Sequence, residues 1–549
     1  MNMRSAAALL SLLALGACAD DWVAPFNDSF SEPKIRADLI ALSHDSTQGR
    51  LVGTPELGKV ADFIRDRFDA LGLVPAGDGT TYEQRFELMW FSPIEGSRLT
   101  VRGAGGSREP GAGWYPLNIA SVGSASGAVV FAGFGIDEPR LGWDDYQGAD
   151  LSGKVALVLE REPGVDDPAS PFDGVVTAHA AREWNKALAA QKRGAVAILF
   201  VRDVHNRPDV EDWAAATADY WPEQPRRVER FLHPAWAVAI TIPGAFISAE
   251  LAETLVKGSG RTLQELAQAS ETASNGLGVV ELPGSHVDLT TYVDRRRTPA
   301  RNIVGVVQGS DEDLAGEAVM ILAHYDHNGA AGDTIYNGAD DNVSGVAALL
   351  ALAEAYAKAA AEELGPRRSV VFAATDSEER GPSLGAWHLT MDPPFPLSNT
   401  VAVFNVDMIG RNEEIPADGG ARFNGLEPQT AESNANTVNI IGYSRAPTLA
   451  AAVDSANRET ALTLRMRYDN NVSNMLRRSD QWPFLQHDVP AVWFHTGLHP
   501  DYHTAFDDAE KINYEKMIRI VRLIHQASWN VANGDQRSTV EPMGSRPPS

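Results

Sequence analysis

Residues 321–345 read ILAHYDHNGAAGDTIYNGADDNVSG, and the reading of this stretch decides the fold. It grows out of an apolar run, Val319 to Ala323, that has the length and composition of a buried strand. It then breaks into a loop carrying His324, Asp326, Asp340 and Asp341, and enters an alanine- and leucine-rich helix, Val346 to Ala361. A strand that sheds an imidazole and carboxylates before a helix marks the edge where α/β folds build their sites.

Working outward, alternating strand and helix continue from Asn302 to the C-terminal helix. Strands are expected at Ile303–Val307, Val319–Ala323, Ser369–Ala374, Val401–Val406, Val438–Ile441 and Ala491–Phe494, and helices at Val346–Ala361, Ser383–Leu389, Thr448–Glu459 and Tyr514–Ala532. The pattern predicts an α/β fold, a mixed β-sheet sandwiched by helices. The residues just after each strand matter most. Ser369–Ala374 leads to Asp376-Ser377-Glu378-Glu379, Val401–Val406 runs into Asp407, and Ala491–Phe494 precedes His499, His503 and Asp507. Each residue alone reads as a cap or surface charge, but four strands shedding such groups point to one site. Imidazoles with several carboxylates suit Zn²⁺, and Mn²⁺ or Co²⁺ less specifically. The carboxylates exceed the needs of one tetrahedral ion, so a pair of ions is expected. Glu378 and Glu379 then divide between general base and ligand. No HExxH helix, GxSxG elbow or cysteine nucleophile is present.

Upstream, Leu57, Val60, Ile64, Phe68 and Leu71 mark an amphipathic helix ending at Gly72. From about Ala125 the texture becomes β-rich, and Arg295–Arg297 read as a solvated linker face. Gly148 to Lys154 nearly matches a phosphate loop, but Val155 stands where Ser or Thr must hold Mg²⁺, and a strand comes next instead of a helix. The chain has 549 residues, which calls for two or three domains, and its net charge of −26 argues against nucleic acid or anionic membrane surfaces. Arg4 and the apolar Ala6–Leu15 read as a secretory signal, and Leu15-Gly16-Ala17-Cys18 resembles a bacterial lipoprotein signal with Cys18 lipidated. Cys18 is the only cysteine, so no disulfide forms within the chain. No later stretch is expected to reach the roughly 18 apolar residues of a membrane span.

The motifs AHYDH, GADDNVSG, DSEE, NVDMIGR and GLHPDYHTAFDD together resemble the M28 peptidases, co-catalytic di-zinc aminopeptidases. GRLVGTPE and ALGLVPAGDGTTY resemble that family's N-terminal segment, while GAVVFAGFGI, DDYQGADLSGKVALVLERE and KRGAVAILFV resemble a protease-associated (PA) domain. The resemblance implies two Zn²⁺ per chain. His324 and Asp407 would hold one, Glu379 and His503 the other, and Asp341 would bridge, with Asp340 as its rival. Glu378 would be the base, and Asp326 would accept from His324 and fix its tautomer. His499 and His327 compete as ligands; His388, His487 and His495 read as packing or loop histidines. Members often carry Ser-Asp-His where this chain has Ser479-Asp480-Gln481, which puts specificity in doubt but not metal binding. Asp480 and Tyr502 are the expected substrate contacts.

The implied organisation is a lipoprotein signal at 1–17, a linker at 18–33, the first part of the peptidase domain at 34–122, a PA-like inserted β-rich α+β domain at 123–284, the catalytic domain at 285–534 and a disordered tail at 535–549. The implied activity is removal of N-terminal residues from peptides outside the cytoplasm, on a bacterial membrane through a lipid on Cys18. A carboxypeptidase or an amidohydrolase on modified amino acids uses the same metal plan, and a non-catalytic binding protein would show damaged ligands. Oligomeric state is left open.

Overall fold

The computed structural model describes residues 23–541 other than 103–106, 109, 120, 210, 216–230 and 382. The signal segment, Cys18 and residues 542–549 lie outside them. Two large sheets organise the rest. The catalytic sheet has nine strands: β1 (Val74–Pro75), β2 (Glu83–Pro93), β3 (Val293–Val307), β4 (Ala318–His324), β5 (Ser369–Thr375), β6 (Thr400–Val406), β7 (Thr437–Ile441), β8 (Thr463–Arg465) and β9 (Ala491–His495). Their order is β1-β3-β5-β4-β6-β9-β7-β8, with β2 also paired to β3.

The four middle strands, β5, β4, β6 and β9, are mutually parallel. All four are buried along their whole length, which is why they read as unbroken apolar runs. Being parallel, they end on one side of the sheet, so everything shed after them converges. The antiparallel partners β3 and β7 close the sheet on either flank.

Helices α1 (Glu32–Leu42), α2 (Pro55–Ala70), α3 (Gly345–Ala361), α4 (Leu384–Met391), α5 (Pro447–Ala456), α6 (Gln481–Gln486) and α7 (Tyr514–Asn533) cover it. Thr54 caps α2 by accepting from Leu57 N, and Pro55 starts it at a position where no amide is needed. The α3 stretch, Ala339–Ala361, is long and apolar enough to span a bilayer, contrary to the sequence expectation. However, 72 % of its apolar window is buried inside the protein, so it is the core helix beneath the sheet.

Three expectations are corrected. Residues 23–31, placed in a linker, dock on α7: Ala24 N donates to Gln526 Oε1 at 3.1 Å, and the Phe30 and His525 rings meet edge-on at 5.4 Å. Residues 535–541, placed in a disordered tail, are tied down, with Arg537 donating to Glu317 and Glu541 N to Arg445 O. Arg295–Arg297 lie in β3, paired along β2, where Arg296 covers the Trp90 ring at 5.2 Å.

The second sheet has eight strands running from Arg98–Val101 to Val280–Thr291, wider than the 123–284 expected for an inserted unit. Its strands Gly123–Phe131, Lys154–Leu159, Ala197–Val201 and Gly244–Ile247 are parallel neighbours. The chain enters it from β2 and leaves into β3, and Tyr292 N donates to Ser97 Oγ where the two crossings meet. An inserted unit entered and left at adjacent points leaves the parent sheet's topology undisturbed.

Candidate metal centre

β4 ends at His324, β5 at Thr375 just before Asp376–Glu379, and β6 at Val406 just before Asp407. The cradle for the loops between them is made by a residue the sequence reading did not single out. Arg50, 1 % exposed, donates from Nε to Tyr325 O (3.0 Å) and from Nη2 to Gly338 O (3.0 Å) and Asp341 O (3.2 Å). One guanidinium thereby ties together the two ends of the long connection between β4 and α3. Gly49 beside it has φ +66°, and a Cβ there would stand 2.2 Å from Gly329 O, so the close approach requires glycine.

His324 Nε2 stands 3.5 Å from Asp341 Oδ1 and 3.5 Å from Asp407 Oδ1. His503 Nε2 stands 3.1 Å from Asp341 Oδ2 and 3.1 Å from Glu379 Oε2. The two oxygens of Asp341 thus face two different imidazole–carboxylate pairs. This places Asp341 between the halves. Asp340 turns away, accepting from Gly410 N at 2.6 Å and facing His499 at 3.4 Å. His499 therefore belongs to a neighbouring polar cluster with Asp340. His327 lies closer than the sequence indicated: its Nδ1 is 2.7 Å from Glu379 Oε1 and 3.8 Å from Asp341 Oδ2. Its ring donor orients Glu379, a role usual for groups behind a ligand carboxylate.

Donor atoms of His324, Asp341 and Asp407, and those of His327, Asp341 and Glu379, lie close enough to share an ion, all within 4.8 Å of one another in each group. His324 Nε2 and Asp407 Oδ1 are buried and make no hydrogen bond among the described residues. Buried polar atoms are normally paired, so two such atoms aimed at one point fit a cation. The charge balance agrees. Burial and the charge of Glu379 push Asp341 up to about 8. Burial, reinforced by Glu379 and Asp407, pushes Glu378 well above the usual carboxylate range. Against burial, His503 and His327 hold Glu379 well below it. Against burial, Glu379 and Asp341 raise His503 to about 10, and Asp407 and Asp326 raise His324. Carboxylates that must borrow protons or imidazolium charge to be buried together are a donor set suited to divalent cations. The residues present fit such ions.

Asp326 has a different grip from the one expected. Its carboxylate accepts from Glu378 N (3.0 Å) and Glu379 N (3.3 Å), while His324 Nδ1 is 3.3 Å from its backbone oxygen and 3.6 Å from Oδ1. It fixes the two glutamates as well as the histidine. Asp507 does the same for the next loop, accepting from Asp340 N and Asp341 N at 3.0 and 3.1 Å. Asp480, expected to meet substrate, is instead fully buried, bonded to Thr375 and pushed up to about 6 by burial. It is absent from the pocket wall. Tyr502 is on that wall, its ring stacked on His503 at 3.8 Å between centroids. The pocket is lined by Asp341, Glu378, Asp407 and His503 together with Met408, Met475, Arg478, Trp493, Leu498, Tyr502 and His495, the last read from the sequence as a packing or loop histidine. The neighbour of Asp480 has a clear part: Ser479 Oγ donates to Asp407 Oδ2, and Asn405 Nδ2 donates to Ser479 Oγ and Gln481 Oε1. Gln481, the departure from Ser-Asp-His, is thus bonded behind Asp407 and is absent from the pocket wall.

Residues 302–528 match the model of peptidase family M28. The chain is 28% identical over 282 residues to a probable glutamate carboxypeptidase VP8 of Zea mays, a match covering 49% of this chain and 34% of that protein. It is 27% identical over 239 residues to an uncharacterized protein, YfbL, of Escherichia coli strain K12, covering 41% and 68%. The matched segment therefore spans about a third of the first relative's length. Among solved structures, an aminopeptidase from Aneurinibacillus sp. strain AM-1 aligns over 94% of this chain and 96% of its own at 16% identity and TM-score 0.48. A zinc aminopeptidase from Bacillus subtilis aligns over 95% and 100% at 16% identity and TM-score 0.41. Over residues 302–528 the chain is thus similar to the M28-type metallopeptidases.

Proposed function

We propose that this protein is a di-zinc aminopeptidase that releases N-terminal residues from peptides outside the cytoplasm. The observation that carries the reading is Asp341, whose two oxygens face His324 with Asp407 on one side and His503 with Glu379 on the other. One Zn²⁺ would be held by His324, Asp341 and Asp407, a second by Asp341, Glu379 and His503. Such ions supply Lewis acidity toward a carbonyl and acidify water.

The chain's own residues supply the proton traffic. Glu378 lines the pocket, and its backbone is pinned by Asp326. Its raised affinity for protons suits a base that takes the proton of the attacking water and returns it to the leaving amine. The atoms balance: water's oxygen joins the acyl carbon, the C–N bond breaks, and the amine leaves with the proton that Glu378 carried. Tyr502, stacked on His503 at the pocket wall, would donate to the oxygen of the scissile carbonyl. The lone Cys18 after an apolar segment supports export and a lipid anchor, and the motif matches of the inserted unit support a PA-like identity.

A carboxypeptidase reading has one observation in its favour. Arg478, an exposed guanidinium, stands on the pocket wall, where it suits a substrate carboxylate. The plant relative's description as a probable glutamate carboxypeptidase points the same way. The deciding assay compares aminoacyl-p-nitroanilides with N-blocked peptides bearing a free C-terminus. Cleavage of the first, abolished by chelator and restored by Zn²⁺, is expected; cleavage of only the second overturns the aminopeptidase reading.

A further inference from the structure

One wall of the pocket is held from outside the catalytic sheet. The segment 469–480 carries Met475 and Arg478 to the pocket and ends at Ser479, which holds Asp407. At its start Asp469 accepts from Gly442 N, Ser444 N and Ser444 Oγ. Its middle leans on residues 162–178 of the inserted unit, an irregular loop. Val175 N donates to Asn470 Oδ1 and Thr177 N to Asn474 Oδ1, each at 2.9 Å, and Asn470 Nδ2 donates back to Pro168 O at 2.8 Å. Gly174 lies so close that a Cβ on it would meet Asn470 Oδ1 at 2.2 Å. Beneath these contacts, Arg445 Nη1 donates to Asp173 Oδ1 at 3.0 Å, both side chains wholly buried. Glu162 and Glu183 of the inserted unit supply opposite charge to Arg477.

Two asparagines that spend their side chains on another unit's backbone amides form a specific seat, because those amides would otherwise be left without partners. A buried ion pair adds register more reliably than stability. We propose that the loop 162–178 is a positioning element of the catalytic pocket, seating Asn470 and Asn474 so that Met475 and Arg478 present the wall that substrate meets. The inserted unit is then part of the binding site. Its contribution falls on substrate affinity, because Ser479, which orients Asp407, is itself held from β6 by Asn405 and, among the described residues, makes no bond to the loop 162–178. This rests on the peptidase reading above.

The test compares the full-length wild type with Asn470→Ala/Asn474→Ala and with Asn474→Asp, which keeps the acceptor for Thr177 N. Hydrogen exchange by mass spectrometry is expected to rise in the double variant within 162–178 and 470–478, while β4, β5 and β6 stay protected and zinc content is unchanged. With a dipeptide amide, KM should rise about five-fold or more and kcat should stay within about two-fold, a pattern of lost binding. Asn474→Asp should keep most of the wild-type KM. Unchanged exchange in 470–478, or unchanged KM, overturns the proposal. Gly174→Ala, which intrudes on the seat without removing a bond, gives the same readout should the double variant fold poorly. The exchange arm decides the latch even if no peptide is cleaved, in which case it is the peptidase reading that fails.

Discussion

Ser479 Oγ donates to Asp407 Oδ2 across 2.5 Å, and the other oxygen of the same carboxylate, buried Oδ1, makes no hydrogen bond among the described residues. A hydroxyl from the loop before α6 thus fixes which oxygen of Asp407 is free to face His324. Asn405 holds that hydroxyl in turn, so the orientation is inherited from β6 itself.

Removing the hydroxyl should therefore loosen the ion that, on the proposed function, Asp407 would help to hold. Ser479→Ala is expected to weaken Zn²⁺ binding by about 10–100-fold, the range found when groups behind metal ligands are removed. Chelator competition on the purified protein measures this. Affinity equal to wild type would show that Asp407 is oriented without Ser479.

Glu378→Gln keeps size and hydrogen-bonding capacity and removes the proton acceptor. The kcat should fall about 10²–10⁴-fold with unchanged zinc content by elemental analysis. A variant retaining half its activity would assign the base elsewhere.

Arg50 donates to five backbone carbonyls, those of Leu42, Tyr325, Asn337, Gly338 and Asp341, and a lysine carries no planar fork to replace it. Arg50→Lys should lower unfolding free energy by about 1–3 kcal/mol, the cost of leaving buried carbonyls unpaired, and should weaken zinc binding as well. Urea denaturation with excess EDTA separates the two effects. Full stability without metal would show that the carbonyls find other donors.

The stability of the protein should fall on mild acidification through groups remote from the metal centre. His525 is fully buried against Phe30, Tyr356 and Trp529. Burial pushes its pKa down to about 3 from 6.5. The folded pKa lies below the unfolded one, so the unfolded chain binds the extra proton between those values. The stability contribution is present above pH 6.5 and is lost as pH falls toward 3, at about 1.4 kcal/mol per pH unit. His525→Phe should remove about one proton's worth of slope between about pH 6 and 5 in urea titrations. An unchanged slope would mean that His525 is protonated in the folded protein.

The parallel core was legible because β4, β5, β6 and β9 are buried on both faces and so are apolar throughout. Their polar successors were legible because a functional group placed at a strand end interrupts that run abruptly, as His324 and Asp407 do. The long pairing of β2 with β3 was not legible across Arg295–Arg297, since one exposed sheet face tolerates charge as readily as a linker does. The docking of residues 23–31 and 535–541 left no trace in composition, because a few hydrogen bonds to α7 and Glu317 need no apolar run.

The amino-acid sequence by itself determined which residues could meet at the sheet edge. Periodicity and residue type are local properties that chain order carries intact. Only the tertiary structure decided that Asp341 and not Asp340 faces both histidines, that Asp480 is buried off the pocket wall, that Arg50 ties together the two ends of the connection after β4, and that Asn470 and Asn474 bond to the inserted unit. Those outcomes depend on where side chains hundreds of residues apart point once the sheets have closed, and orientation in space is not encoded by spacing along the chain.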